Sequence, residues 1–166
     1  MNRRKFLLVS AAVAGTAAAG LYGAGSRFVA DLAELQQELK QMTGKTLHSS
    51  GSWNVSQIFQ HLAQSVRGSY QGYPQFQHSI GPLALQGFKA AGAMRHPLDE
   101  AIPGMPDLDA GLDPQVALAA LLQALEEFSA ATTLSPHFAY GTLSHADFQA
   151  AHQLHIRQHL SQIAVV

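Results

Sequence analysis

Ser144-His145-Ala-Asp147-Phe-Gln-Ala-Ala-His152-Gln-Leu-His155-Ile-Arg-Gln-His159-Leu-Ser-Gln-Ile163 places four histidines in twenty residues. Read as one helix at about 100° per residue, it brings His152, His155 and His159 within an arc of roughly 60°. An imidazole carries polar nitrogens that must be satisfied wherever it is buried, so a helix that lines one stripe with three of them needs a ligand for the stripe. A divalent metal ion is the simplest one. The pair His155 and His159 is the sharpest part, because an i, i+4 spacing stacks two side chains one turn apart and lets both reach an ion about 2 Å away. The bland alternative for such a pair is two solvated or core-edge rings. Nine histidines and no cysteine in 166 residues favour the metal. Any such ion is held by nitrogen and oxygen, which suits zinc, nickel, iron or manganese without choosing among them.

Working outward, helical periodicity recurs three more times. Phe28, Leu32, Leu35, Leu39 and Met42 are spaced for an amphipathic helix over 28–42, ended at Gly44 and Lys45, with 46–52 a polar loop. Asn54 followed by Gln57 has the form of a capping box, and Val55, Ile58, Phe59, Leu62 and Val66 make the buried stripe of the helix it starts. His61 sits at the shoulder of that stripe, where alone it reads as a core-edge histidine. From Arg67 to Asp113 glycine and proline break the pattern, leaving a long crossover that serves as a lid or pocket wall, with a short helix from Pro82 to about Ala91. Asp113-Pro114 starts a further helix to about Ala130, facing the core with Val116, Leu118, Leu121, Leu122, Leu125 and Phe128. Ser144 with Asp147 caps the histidine helix. The expected architecture is therefore all-α: a four-helix bundle with a long crossover between helices two and three.

Composition narrows function by exclusion. With 47% apolar and 13% charged residues the chain buries one sizeable core. A net charge of −1 provides no basic field for nucleic acid. Nucleophile-elbow, P-loop and dinucleotide fingerprints are absent from the sequence. Residues 1–25 open with Arg3-Arg4-Lys5-Phe6-Leu7 and continue into Ala/Gly-rich sequence, the form of a bacterial export signal that resembles the twin-arginine type. A periplasmic location follows, the alternative being an uncleaved inner-membrane anchor, since 6–24 is nearly long enough to span a bilayer. The folded domain is expected over 26–166.

Four helices, a histidine inside the second and His155-x-x-x-His159 late in the fourth resemble the DinB-like superfamily of metal-binding four-helix bundles. Trp53-Asn-Val-Ser-Gln-Ile-Phe-Gln-His61-Leu is similar to that superfamily's second-helix motif, and His155-Ile-Arg-Gln-His159-Leu-Ser-Gln-Ile to its last. Gln64-Ser65, Gly72-Tyr73-Pro74, Ile102-Pro103-Gly104 and Pro136-His137-Phe138-Ala139-Tyr140-Gly141 are similar to an uncharacterised bacterial branch of it. The resemblance implies that His61, His155 and His159 bind one divalent metal, with open positions for water or substrate. His152 is then a fourth ligand, an outer donor, a catalytic base or a surface residue, with outer donor or pocket wall ranked first. His137 is placed near the pocket, and His48, His78, His96 and His145 are read as solvated. Three functions follow: a thiol-dependent transferase, a metal-dependent hydrolase, or a non-catalytic periplasmic protein binding metal or a small ligand. A homodimer through helix faces fits any of them.

Overall fold

A computed structural model describes residues 28–76 and 81–166. The expected export segment over 1–25 and His78 lie outside the described residues. Five helices and a two-stranded sheet make up the rest: α1 Leu32–Lys40, β1 Leu47–Ser49, α2 Val55–Gln71, α3 Pro82–Ala91, α4 Pro114–Ala130, α5 His145–Leu160 and β2 Ile163–Val165. The chain is mainly helical, as its periodicity predicts.

Each helix starts where its capping chemistry directs. In α2 the Asn54 side chain accepts from Gln57 N at 2.9 Å while Gln57 Oε1 accepts from Asn54 N at 3.0 Å, so both arms of the box form. Asp31, Asp113 and Ser144 cap α1, α4 and α5 through one side-chain oxygen each. Asp147 departs from the box: its carboxylate accepts from the Ser144 hydroxyl and pairs with Lys89 of α3 at 2.8 Å, tying two helices together. α3 spans the anticipated residues, with Pro82 in its first turn and Gly92 at φ +65° closing its end.

Two expectations fail. The polar loop at 46–52 contains a strand, because β1 pairs antiparallel with β2 in the register Leu47↔Val165, His48↔Ala164 and Ser49↔Ile163. Three-residue strands fall below the length at which alternation is readable, and their partners are over a hundred residues apart. Val116 is 55% exposed, whereas Ala117, Leu118, Leu121, Ala124, Leu125 and Phe128 carry the buried face of α4.

α2 and α4 pack along most of their length, and α5 lies against α2, α3 and α1. Phe59, Phe128, Phe148, Leu35, Leu62, Leu121 and Leu154 are fully buried between them. Polar residues on the outer side of α2 grip the crossover: Asn54 donates to Ala110 O, Gln60 exchanges two bonds with Asp109, and Gln64 donates to Pro106 O. On α5, Gln158 Nε2 donates to His96 O at 2.7 Å and its Oε1 accepts from His96 N at 3.4 Å. The crossover is thereby laced to two helices, and it closes one side of a cavity between them.

Candidate metal centre

Because α5 packs against α2, the stripe on α5 meets the shoulder position on α2. His61 Nε2 lies 3.1 Å from His155 Nε2. Ring centroids are 4.9 Å apart for His61 and His159, 4.9 Å for His155 and His159, and 5.0 Å for His61 and His155. One nitrogen from each ring falls within 4.8 Å of the other two. The three residues that helix geometry and family resemblance single out thus converge, 94 residues apart in sequence for the first pair.

The donor set fits a divalent cation. At bond lengths of about 2.0–2.1 Å, nitrogens 3.1 Å apart subtend about 100° at a shared ion, between the roughly 90° of octahedral and roughly 109° of tetrahedral ligation. His159 is fully buried, and its Nε2 has no hydrogen-bond partner among the described residues. A buried imidazole nitrogen without a partner costs free energy that a metal–nitrogen bond removes. Burial, followed by the charges of neighbouring histidines, holds the His61 and His155 rings well below the ordinary imidazole value. His159 is lowered to about 4 by burial and by His96, with Asp99 opposing the shift. All three are neutral at pH 7, the state in which a ring nitrogen keeps the lone pair a metal needs.

Outer contacts orient the rings. His155 Nδ1 sits 3.2 Å from Ser65 Oγ, and Ser65 O in turn accepts from the Tyr73 hydroxyl at 2.8 Å. Gly68 lets the Tyr73 ring approach α2 that closely, since a Cβ there would lie 2.2 Å from a ring carbon. The Gln162 amide is 3.5 Å from His159 Nδ1, and it occupies space that a side chain at Gly51 would take. Trp53 stacks on His159 with centroids 6.4 Å apart and covers His61 at 5.1 Å.

His61 and His155 open onto a cavity of about 90 Å³. Its walls are largely apolar, with Phe88, Met94, Ile102, Phe138 and Ala151 prominent, and Glu100 is the only charged side chain that lines it among the described residues. His152 and His137 line it as well. His152 is 1% exposed, its ring held edge-on to Phe128 at 4.9 Å and stacked near Phe148 at 5.6 Å, and its Nε2 is buried without a partner among the described residues. His137 sits in a turn closed by two bonds with Gly141, and its Nδ1 accepts from Ala139 N and Tyr140 N. A nitrogen that accepts twice is unprotonated, so the proton of this neutral ring is on Nε2. Burial lowers both rings to about 3.

Residues 26–165 match the family described as "Protein of unknown function (DUF1569)". The chain belongs to that family. No curated protein and no solved structure matches it. The matched span contains every residue of the histidine centre and of the cavity, so both are properties of the family-matched domain.

Of the histidines read as solvated, His48 is exposed, but His145 is half-buried and stacked on Phe128 with centroids 4.6 Å apart. The larger miss is His96. It lies in the cavity wall with its ring centroid 4.9 Å from His155 and 5.7 Å from His159. Burial lowers its pKa too. It sits in a Pro-rich segment with no periodicity, where spacing carries no information about which way a side chain faces.

Proposed function

We propose that this DUF1569 protein is a DinB-like bundle that holds one divalent transition metal through His61, His155 and His159 and uses it as a metal-dependent enzyme on a small substrate. The observation that carries the reading is the convergence of three neutral imidazoles, His61 and His159 buried and His155 partly so, at the end of a largely apolar cavity. Three long helices, α2, α4 and α5, with the shorter α1 packed on α4 and α5 and a laced crossover between α2 and α4, support the bundle relationship. When bound, zinc, nickel, iron or manganese supplies Lewis acidity, lowering the pKa of a thiol or water.

The chain's own residues do the rest. Ser65 holds the His155 ring in orientation through its contact with Nδ1, accepting from it when Nε2 takes the metal, and the crossover with Trp53 shields the imidazoles from bulk water. Among the described residues the cavity lining holds no lysine or arginine and is largely apolar, which suits small, mostly apolar molecules. His152 stands in its wall. A ring whose pKa is lowered to about 3 is a poor proton acceptor near neutrality, so hydrogen bonding to substrate suits it better than general-base work. Thiol-dependent transfer and hydrolysis both fit this cavity, and the export-signal-like sequence of residues 1–25 supports a periplasmic setting for either.

The deciding experiment is elemental analysis of protein isolated from its own compartment, followed by turnover assays with thiol acceptors and with ester and phosphate probes, for wild type and His61→Ala. A bound transition metal near one equivalent and activity lost with His61→Ala are expected. Stoichiometric metal with no turnover on any probe would move the protein to the binding class, and no affinity for metal at micromolar levels would remove both readings.

A further inference from the structure

His96 is a cavity-wall imidazole that the functional reading above does not use, and it is built like a ligand. Its Nδ1 lies 2.8 Å from Pro97 O, an acceptor only, so the ring proton is on Nδ1 and the Nε2 lone pair is free. Metal-ligating histidines commonly carry this arrangement, the outer N–H bonded to a backbone carbonyl and the other nitrogen turned to the ion. Its backbone is fixed at both polar atoms by Gln158, one residue before His159 on α5. The ring is as near to His155, at 4.9 Å, as the three convergent rings are to one another. Toward His159 the separation is 5.7 Å, so this ring stands one step outside the trio, on the cavity side.

We propose that His96, which stands outside the three-ring cluster, supplies a fourth nitrogen to the metal centre through Nε2, the ring tilting inward on its fixed backbone while Nδ1 keeps its bond to Pro97 O. The proposal rests on the three-histidine reading and adds to it. Four nitrogens complete a tetrahedral shell but leave positions free in a five- or six-coordinate one, so His96 biases an open, reactive centre toward nickel, iron or manganese and makes a zinc-loaded centre closed.

The test is ring-nitrogen NMR on protein labelled with ¹⁵N-histidine and titrated with zinc, alongside zinc competition with a chelator for wild type and His96→Ala. Expected are four rings with a metal-shifted nitrogen, His96 among them with Nε2 shifted and Nδ1 protonated. The variant should retain three shifted rings and lose about 100-fold or more in affinity, beyond the 10–100-fold typical of an outer-shell partner. Three shifted rings in the wild type without His96 would overturn the proposal while leaving the trio intact, as would an affinity loss of less than about 100-fold in a folded variant, the range of an outer-shell partner. No shifted ring at all is the separate signature of failure of the metal reading itself. Should His96→Ala not fold, the wild-type spectrum decides alone.

Discussion

The hydroxyl of Ser65 and Nδ1 of His155 lie 3.2 Å apart, joining a residue on α2 to the ring that helix α5 presents one turn away from His159. With Nε2 of His155 facing His61, a metal bound at Nε2 would leave the ring proton on Nδ1, where Ser65 Oγ is placed to accept it. Ser65→Ala should therefore lower metal affinity about 10–100-fold, the range for loss of an outer contact, with little change in melting temperature of the metal-free protein. Chelator competition on both proteins measures it. Equal affinities would mean that the rings are held by helix packing alone.

The same contact is braced from behind. Tyr73 donates to Ser65 O, and its ring fills the space over Gly68. Tyr73→Phe removes one buried hydrogen bond and should cost about 1 kcal/mol. Gly68→Ala places a methyl inside the Tyr73 ring's contact distance, and overpacking of that kind costs about 1–3 kcal/mol. The glycine variant should be the worse of the two in urea unfolding, and it should also weaken metal binding by shifting Ser65. A Gly68→Ala protein as stable as wild type would show that Tyr73 moves aside freely.

Acid should destabilise the protein well above the range in which carboxylates titrate. His137 and His152 have pKa values lowered from 6.5 to about 3 by burial, so the folded protein refuses protons that the unfolded chain accepts. Stability is full above pH 6.5 and falls as pH drops from there toward 3, by about 1.4 kcal/mol per pH unit for each ring. Urea unfolding of metal-free protein between pH 7.5 and 4.5 should fall at least that steeply, because His61, His96, His155 and His159 are also held below the ordinary imidazole value and add to the loss. His152→Leu should flatten the curve by one proton's worth, and parallel curves for variant and wild type would refute the assignment of a buried neutral ring at 152.

How much of this was legible without coordinates follows from the range over which each signal acts. Helix boundaries set by Asn54, Asp113-Pro114 and Ser144 were readable because capping acts within four residues. The metal trio was readable in two parts: the 155–159 pair from helix geometry, and His61 from family resemblance, since nothing local links it to α5. His96 and the pairing of Leu47 with Val165 were not readable, because neither a loop's side-chain direction nor a three-residue strand leaves a periodic trace. Val116 misled because its apolar character fits helical spacing while its position on α4 faces outward.

Ala151 separates a catalytic cavity from a mere metal-binding bundle. It lies on α5 one turn before His155, is 3% exposed, and lines the cavity without touching on the ligation argument. Leucine there adds three carbons to a space of about 90 Å³, which removes most of the room beside the imidazoles at a stability cost of about 1–3 kcal/mol. If the cavity receives substrate, Ala151→Leu should keep wild-type zinc affinity within about threefold and lose turnover by tenfold or more, the loss expected when a reacting molecule is displaced by even 1 Å. If the domain only stores or carries metal, filling the cavity changes nothing that chelator competition or metal release can detect. Unchanged turnover together with unchanged affinity would place the substrate elsewhere, on the outer side of the centre near Trp53 and Asp99.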